Sequence, residues 1–337
     1  MWAAIGPPRW RCGGVRMLDR SGSTFASSRI LQIRKIPRIL HATTIAEPAA
    51  NRKWSRAARE RFVLVNNTNL DLRPISSVAG VEVLGVDLRE PIAEGTQRSL
   101  REAWHSHALL LFRNQKLGEA DQLRVARVFG EISTEGEYGD QNYVSNVIPD
   151  GLTPHGELAF HVDHSWSDNP LRGLMLYAIE VPPEGAGGET KFANVKLAYE
   201  LLPPHVRTRI ADLQIVHTYP DQTKHVPIPG PDPRPGMPTA THPLVFPHPV
   251  TGEKLLFCSP RHFDRIVGLS ADEGLAWAQE LARYIDRPEV VYTHVWHPGD
   301  LVVWDNLQLQ HARTNFDRSY RRHLRRTQIG MPAAVTA

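Results

Sequence analysis

The chain has 337 residues, 41% of them apolar, with 39 Lys or Arg against 36 Asp or Glu and only two cysteines, Cys12 and Cys258. No apolar run approaches the ~20 residues of a membrane span, and two cysteines in segments of unlike character make no disulfide framework, so a soluble protein of a reducing compartment, the cytoplasm, is expected. Residues 1–61 carry 13 basic side chains against 3 acidic ones, which leaves the other 276 residues with a net −7 and without the basic footprint that nucleic-acid binding needs.

Taken in chain order, residues 1–61 stand apart: they are rich in Arg, Ser and Ala, poor in acids, and broken by Pro7-Pro8 and Gly13-Gly14. Such an extension reads as disordered or upstream-translated sequence, with Met17 as an internal start, or as a targeting peptide for organellar import. Residues 62–333 read as one domain. Within it, residues 81–88 alternate as a strand, 96–107 put Leu100, Ala103 and Trp104 on one helical face, and 108–112 form a buried strand. A second helix over 119–129 stops at Gly130, and 174–181, bounded by Pro182-Pro183, is a further strand. From Tyr219 to Val250 ten prolines deny both helix and regular ladder until a strand at 254–257. That segment reads as a loop at the mouth of a site or as disorder. A helix over 271–287 turns Leu275, Ala278, Leu281 and Ile285 inward, and 290–296 and 301–304 are returning strands.

His161-Val-Asp163 lies 150 positions before His311, in Trp304-Asp-Asn-Leu-Gln-Leu-Gln-His311. Residues i and i+2 of a strand share a face, so His161 and Asp163 can grip one metal while Val162 enters the core. Two imidazoles and one carboxylate hold Fe(II) on one side and leave the other open, the pattern of a non-haem iron oxygenase. A second doublet, His262-Phe-Asp264, sits in the polar stretch 259–265 ahead of a helix and reads as loop. Further on, Arg322, Leu324, Arg326 and Gln328 share a strand face, which would point two guanidinium groups inward beside the metal and calls for anionic ligands. Arg321 and Arg325 fall on the opposite face and read as solvent-exposed, and His155, His164, His294 and His297 as structural or supporting imidazoles.

With these pieces in order, the chain resembles the Fe(II)/2-oxoglutarate-dependent taurine and 2,4-dichlorophenoxyacetate dioxygenase family (TauD/TfdA) from about Arg73 to Gly330. The matching pieces are Phe129-Gly-Glu131, His161-x-Asp163, Gly187-Gly-x-Thr190, Ala198-Tyr-Glu200, His242-Pro-Leu-Val, His248-Pro-Val-Thr-Gly252, Gly299-Asp300, Trp304-Asp-Asn306, His311 and Arg322. The resemblance implies a mainly β fold with flanking helices, a distorted double-stranded β-helix (jelly roll) with helices outside its larger sheet. It implies that His161, Asp163 and His311 bind Fe(II) and that Thr190 and Arg322 hold 2-oxoglutarate, with O2 as the other cosubstrate and succinate and CO2 as products. Retention of Asp163 points to hydroxylation, since halogenases of this general kind lack the carboxylate.

The resemblance places Arg326 where several relatives hold the acidic group of the primary substrate, so a small anionic substrate is expected. Counted without gaps, a sulfonate-binding His of taurine enzymes is replaced by Glu135, a nearby Tyr is kept as Tyr138, and an Asn before the first iron ligand is replaced by Glu157. Carboxylates repel a sulfonate at close range, which argues against taurine and leaves Tyr138, Glu157 and Arg326 as substrate candidates. A zinc hydrolase could use the same two His and one Asp, without a use for Arg322 and Thr190, and a non-catalytic jelly-roll binding protein is a third class. No nucleic-acid or membrane partner is expected, and a homo-oligomer is compatible with the sequence.

Overall fold

Short apolar runs in this chain sort their side chains to opposite faces of one large sheet. In the computed structural model, which describes residues 70–133, 141–219 and 236–331, seven strands lie edge to edge. Their order is β1 (Asp71–Pro74), β2 (Val81–Leu84), β3 (Leu109–Phe112), β14 (Leu301–Asp305), β6 (Gly173–Glu180), β16 (His323–Ile329) and β4 (Gln141–Ser145), numbered along the chain. On β3, Leu109 and Leu111 join one cluster and Leu110 and Phe112 another. β6 divides the same way, Leu174, Leu176 and Ala178 against Met175 and Tyr177, so both strands are buried on both faces. The outer cluster is completed by α1 (Glu94–His107) and α2 (Glu119–Phe129), which contribute Leu100, Trp104, Val125 and Phe129.

The inner cluster is shared with a four-stranded sheet of order β13 (Val291–His294), β7 (Thr190–Asn194), β15 (Leu309–Arg313) and β5 (Leu158–His161). Phe192 of β7 meets Trp304 of β14 edge-on at 5.3 Å between ring centroids, which marks the seam between the layers. Two sheets packed face to face make the expected jelly roll. Helices also back the smaller layer, beyond those expected outside the larger sheet. There α3 (Val195–Leu201), α4 (Pro204–Ile210) and α5 (Ala271–Ile285) share a cluster with Phe160, Ala193 and Ala312. α5 starts at a reciprocal cap, in which Ser270 Oγ accepts from Glu273 N at 3.3 Å and Glu273 Oε2 from Ser270 N at 3.1 Å. Among the described residues no helix is long and apolar enough to cross a membrane.

The proline-rich stretch departs from expectation where it is described. β9 (Thr239–Pro243) pairs with β8 (Gln214–Thr218), which also pairs with β12 (Phe263–Ile266), and β10 (Val245–Pro247) pairs with β11 (Lys254–Leu256). Pro243 and Pro247 close their strands, and both strands are sheet edges, where a missing N–H costs no ladder bond. Residues 220–235, the extension 1–61, and Glu135 and Tyr138 lie outside the described residues.

Candidate metal and cosubstrate site

The antiparallel register of β15 on β5 sets His311 directly opposite His161. Side chains opposite one another on neighbouring strands leave the sheet on the same face, so imidazoles far apart in sequence come to 4.2 Å between ring centroids. β5 ends at His161, and Asp163 stands in the turn beyond it rather than on the strand itself. Asn306 clamps that turn: its Oδ1 accepts from Asp163 N at 3.0 Å, and its Nδ2 donates to Asp163 O at 3.0 Å and to Leu171 O at 2.8 Å. The carboxylate is thereby returned to the imidazoles, Oδ1 lying 3.4 Å from His161 Nε2 and 3.8 Å from His311 Nε2. One donor atom from each of the three lies within 4.8 Å of the others.

Their protonation suits a cation. His161 Nδ1 donates to Ala159 O at 2.8 Å, which turns its Nε2 toward Asp163. Burial, with His161 adding to it, pushes the His311 imidazole down to about 3 and keeps it neutral. Burial pushes the Asp163 carboxyl up, but Arg326 and the two imidazoles outweigh it and hold the group well below the usual carboxylate range. Arg326 Nη2 donates to Asp163 Oδ2 at 2.6 Å and Nη1 to Asn142 Oδ1 at 3.3 Å, so one carboxylate oxygen is occupied and Oδ1 is left facing the imidazoles. Two imidazoles and one carboxylate oxygen on one side of a cavity fit a divalent transition metal, Fe(II) among them.

A second feature asks for an anion. Arg322 is buried, its Nε donates to Gly188 O at 3.2 Å, and its Nη1 has no hydrogen-bond partner among the described residues. Burial and the neighbouring Arg313 push its pKa down, against a smaller opposite effect of Glu189. Gly187 and Gly188 hold φ of +86° and +83°, and a Cβ on Gly187 would fall 2.0 Å from Asn315 O. Glycine is required at 187 by this close approach to the segment after β15, and at 188, beside the Arg322 stem, by the positive φ. Thr190 follows at the start of β7, where Trp296 Nε1 donates to its Oγ1 at 2.9 Å and so turns the hydroxyl hydrogen toward another acceptor. A guanidinium whose Nη1 has no partner among the described residues and the Thr190 hydroxyl donor fit a carboxylate of a small diacid such as 2-oxoglutarate.

One cavity of about 890 Å³ is lined by His161, Asp163, His311, Thr190, Arg322 and Arg326 together. Glu157 does not join them: it is exposed and lies off the cavity wall. The cause is a register shift in the β5–β15 pairing, where Leu158 stands opposite Arg313 while His161 stands opposite His311. The extra residue reverses the alternation that a straight strand would give and turns Leu158 into the cavity instead. The second doublet is no solvent loop either, since Ser259, Arg261, His262 and Asp264 are all buried. His262 packs against His161 at 5.3 Å, its Nδ1 held by Ser165 Oγ at 2.9 Å, and it takes no part in the three-residue cluster. Arg325, expected at the surface, is buried beneath α2, with Nε donating to Gln122 Oε1 at 2.7 Å and Nη2 to Leu117 O at 2.8 Å.

Trp296, Arg261 and Arg313 escaped the reading of the sequence. Arg313 was within reach of it, being two residues after His311 on the same strand and hence on the same face. Residues 71–328 match the family model described as taurine catabolism dioxygenase TauD, TfdA family. The (S)-phenoxypropionate/alpha-ketoglutarate-dioxygenase of Sphingobium herbicidovorans is 32% identical over 79% of this chain and 97% of its own. The alpha-ketoglutarate-dependent 2,4-dichlorophenoxyacetate dioxygenase of Cupriavidus pinatubonensis is 32% identical over 74% of this chain and 92% of its own. Among solved structures, AAD-2 in complex with Mn(II) and N-oxalylglycine superposes with a TM-score of 0.67 at 28% identity, over 80% of this chain and 99% of that one.

Proposed function

The chain belongs to the TauD/TfdA family and is a 2-oxoglutarate-dependent dioxygenase, and from that premise we propose that it uses Fe(II) held by His161, Asp163 and His311 to hydroxylate a small organic acid. The observation that carries the reading is that one cavity is lined both by the His161, Asp163, His311 cluster and by Arg322, whose Nη1 has no hydrogen-bond partner among the described residues. Bound together, Fe(II) and 2-oxoglutarate supply the chemistry that puts one oxygen atom of O2 into a substrate C–H bond while 2-oxoglutarate becomes succinate and CO2.

The chain's own residues position and shield. Arg322 and Thr190 hold the distal carboxylate of 2-oxoglutarate, Trp296 sets the Thr190 hydroxyl, and Arg326 keeps Asp163 Oδ2 engaged so that Oδ1 stays on the metal side. Arg326 also lines the cavity, and we assign its remaining N–H groups to the acidic group of the primary substrate, with the buried Arg261 as a second cation on the same wall. The apolar body of that substrate lies against Leu152, Leu158, Trp166, Tyr219 and Met237, which also exclude water. At about 890 Å³ the cavity is near the upper end of the roughly 300–1,000 Å³ usual for ligand sites, far more than a two-carbon sulfonate beside 2-oxoglutarate would fill. Because Fe(II) and 2-oxoglutarate are supplied inside cells, the enzyme works in a reducing interior.

A panel containing (S)-2-phenoxypropionate, 2,4-dichlorophenoxyacetate, a medium-chain alkyl sulfate and taurine, read by succinate release with Fe(II) in air, tests the substrate class. At least one acid with an apolar body should stimulate succinate release well above the substrate-free rate, and taurine should not. Efficient sulfite release from taurine, or full activity of Arg326→Ala on a neutral substrate, would contradict the assignment.

A further inference from the structure

Arg313 stands two residues beyond His311 on β15 and opposite Thr190 in the β7 register, so its side chain leaves the sheet on the face that carries the imidazoles. It is buried, and among the described residues it makes no ion pair. Its guanidinium is instead directed at the carbonyls of one short turn. Nε and Nη2 donate to Gly156 O at 3.0 and 2.6 Å, Nη2 also to His155 O at 2.8 Å, and Nη1 to Thr153 O at 2.6 Å. Four of the five N–H directions of the group are thereby taken, which suits a strap better than a ligand-binding cation. Phe316 braces it from the other side, with the guanidinium carbon 5.4 Å from the ring centroid.

The turn so held is strained. Thr153, a β-branched residue, has φ +42° and Gly156 has φ +84°. A positive φ at a β-branched residue persists only where the surroundings over-determine it. Asp150, Leu152, Thr153, Pro154 and His155 form one wall of the cavity described above. Among the described residues, Leu152 N to Tyr143 O at 2.7 Å and Ser145 N to Leu152 O at 3.2 Å tie its near end to β4, and Arg313 ties its far end.

We propose that Arg313 is a positioning residue that sets the shape of the substrate side of the cavity, by fixing the 153–156 turn to the same strand that carries His311. The proposal rests on the reading of that cavity as the substrate's, but the strap itself can be tested without any substrate. Amide hydrogen exchange would be compared in the full-length wild type, Arg313→Met and Arg313→Lys, alongside calorimetric binding of Mn(II) and of 2-oxoglutarate to the Mn(II)-loaded protein. Arg313→Met should speed exchange of the amides of 153–157 by about tenfold or more, with β7 and β15 unchanged. Arg313→Lys, which keeps the charge but has fewer and undirected donors, should fall between. Mn(II) affinity should stay within about twofold of the wild type, because the ligands and their hydrogen bonds are untouched. For any acid that the wild type oxidises, Arg313→Met should raise KM by about tenfold while kcat changes less than about threefold, the split expected of lost uniform binding. Unchanged exchange at 153–157 in both variants would overturn the strap, as would acceleration spread evenly over the sheets or an equal loss of Mn(II) binding. If the exchange result holds while no acid is oxidised by the wild type, the fault lies with the proposed substrate class and not with the strap.

Discussion

Arg322 is buried with no partner for Nη1 among the described residues, and a charge in that condition is costly until an anion arrives. Replacing it with Ala should therefore remove the charge-assisted pair with 2-oxoglutarate, a loss of ~2–5 kcal/mol, or tens to thousands of fold in affinity. Calorimetry on the Mn(II)-loaded variant checks this, and an unchanged 2-oxoglutarate affinity would exclude the assignment. Trp296 acts one step further out. Its Nε1–H fixes which way the Thr190 hydroxyl points, so Trp296→Phe should weaken 2-oxoglutarate by about fivefold, the worth of one neutral hydrogen bond of ~1 kcal/mol, and leave Mn(II) binding alone. A titration showing equal weakening of metal and cosubstrate would mean that Trp296 supports the fold generally instead.

At the scale of elements, the site depends on how β5, the turn after it and the β14–β15 connection are pinned together. Asn306 closes three hydrogen bonds between that connection and the backbone of Asp163 and Leu171, so Asn306→Ala should lower Mn(II) affinity by about 10–100-fold without touching a ligand. Retained affinity in the variant would show that Asp163 is held by Arg326 alone. The strands that matter most here were legible because they are simple. Residues 109–112 and 173–180 are apolar runs buried on both faces, and the i, i+2 rule put Arg322 and Arg326 on one wall. What escaped did so for local reasons. A bulge in β5 turned Glu157 outward, prolines at strand ends hid β9 and β10, and Arg325 snorkels under α2 to backbone carbonyls rather than into water. Patterns of alternation cannot register any of these, since each is a departure from alternation or a partner from elsewhere in the chain.

Over the whole molecule, the buried imidazoles give the fold a pH dependence with a definite sign. His217 lies in the core behind the site, where its Nε2 accepts from Ser259 N at 3.1 Å, and burial, with His242 adding to it, pushes it down to about 3. His311 is pushed down to about 3 as well. In the unfolded chain both take up protons near their ordinary 6.5, while the folded chain resists until about 3. Their contribution to stability is thus complete above 6.5 and is lost as the pH falls from there toward 3. Asp163, held well below 3.8, adds a loss at the acid end of the same range. Thermal melts of the metal-free protein should accordingly show Tm falling steadily from about pH 7 to about pH 4, and a flat profile would contradict neutral burial of these groups.

The measurement that bears most directly on the whole account is succinate formed from 2-oxoglutarate in air, with and without Fe(II), by the wild type and by His311→Ala, with His262→Ala as a buried neighbour outside the cluster. The wild type should form succinate only with Fe(II), His311→Ala should form almost none while remaining folded, and His262→Ala should retain Fe(II)-dependent turnover. Near-normal succinate from His311→Ala, with His262→Ala inactive, would show that His161, Asp163 and His311 are not where this enzyme works.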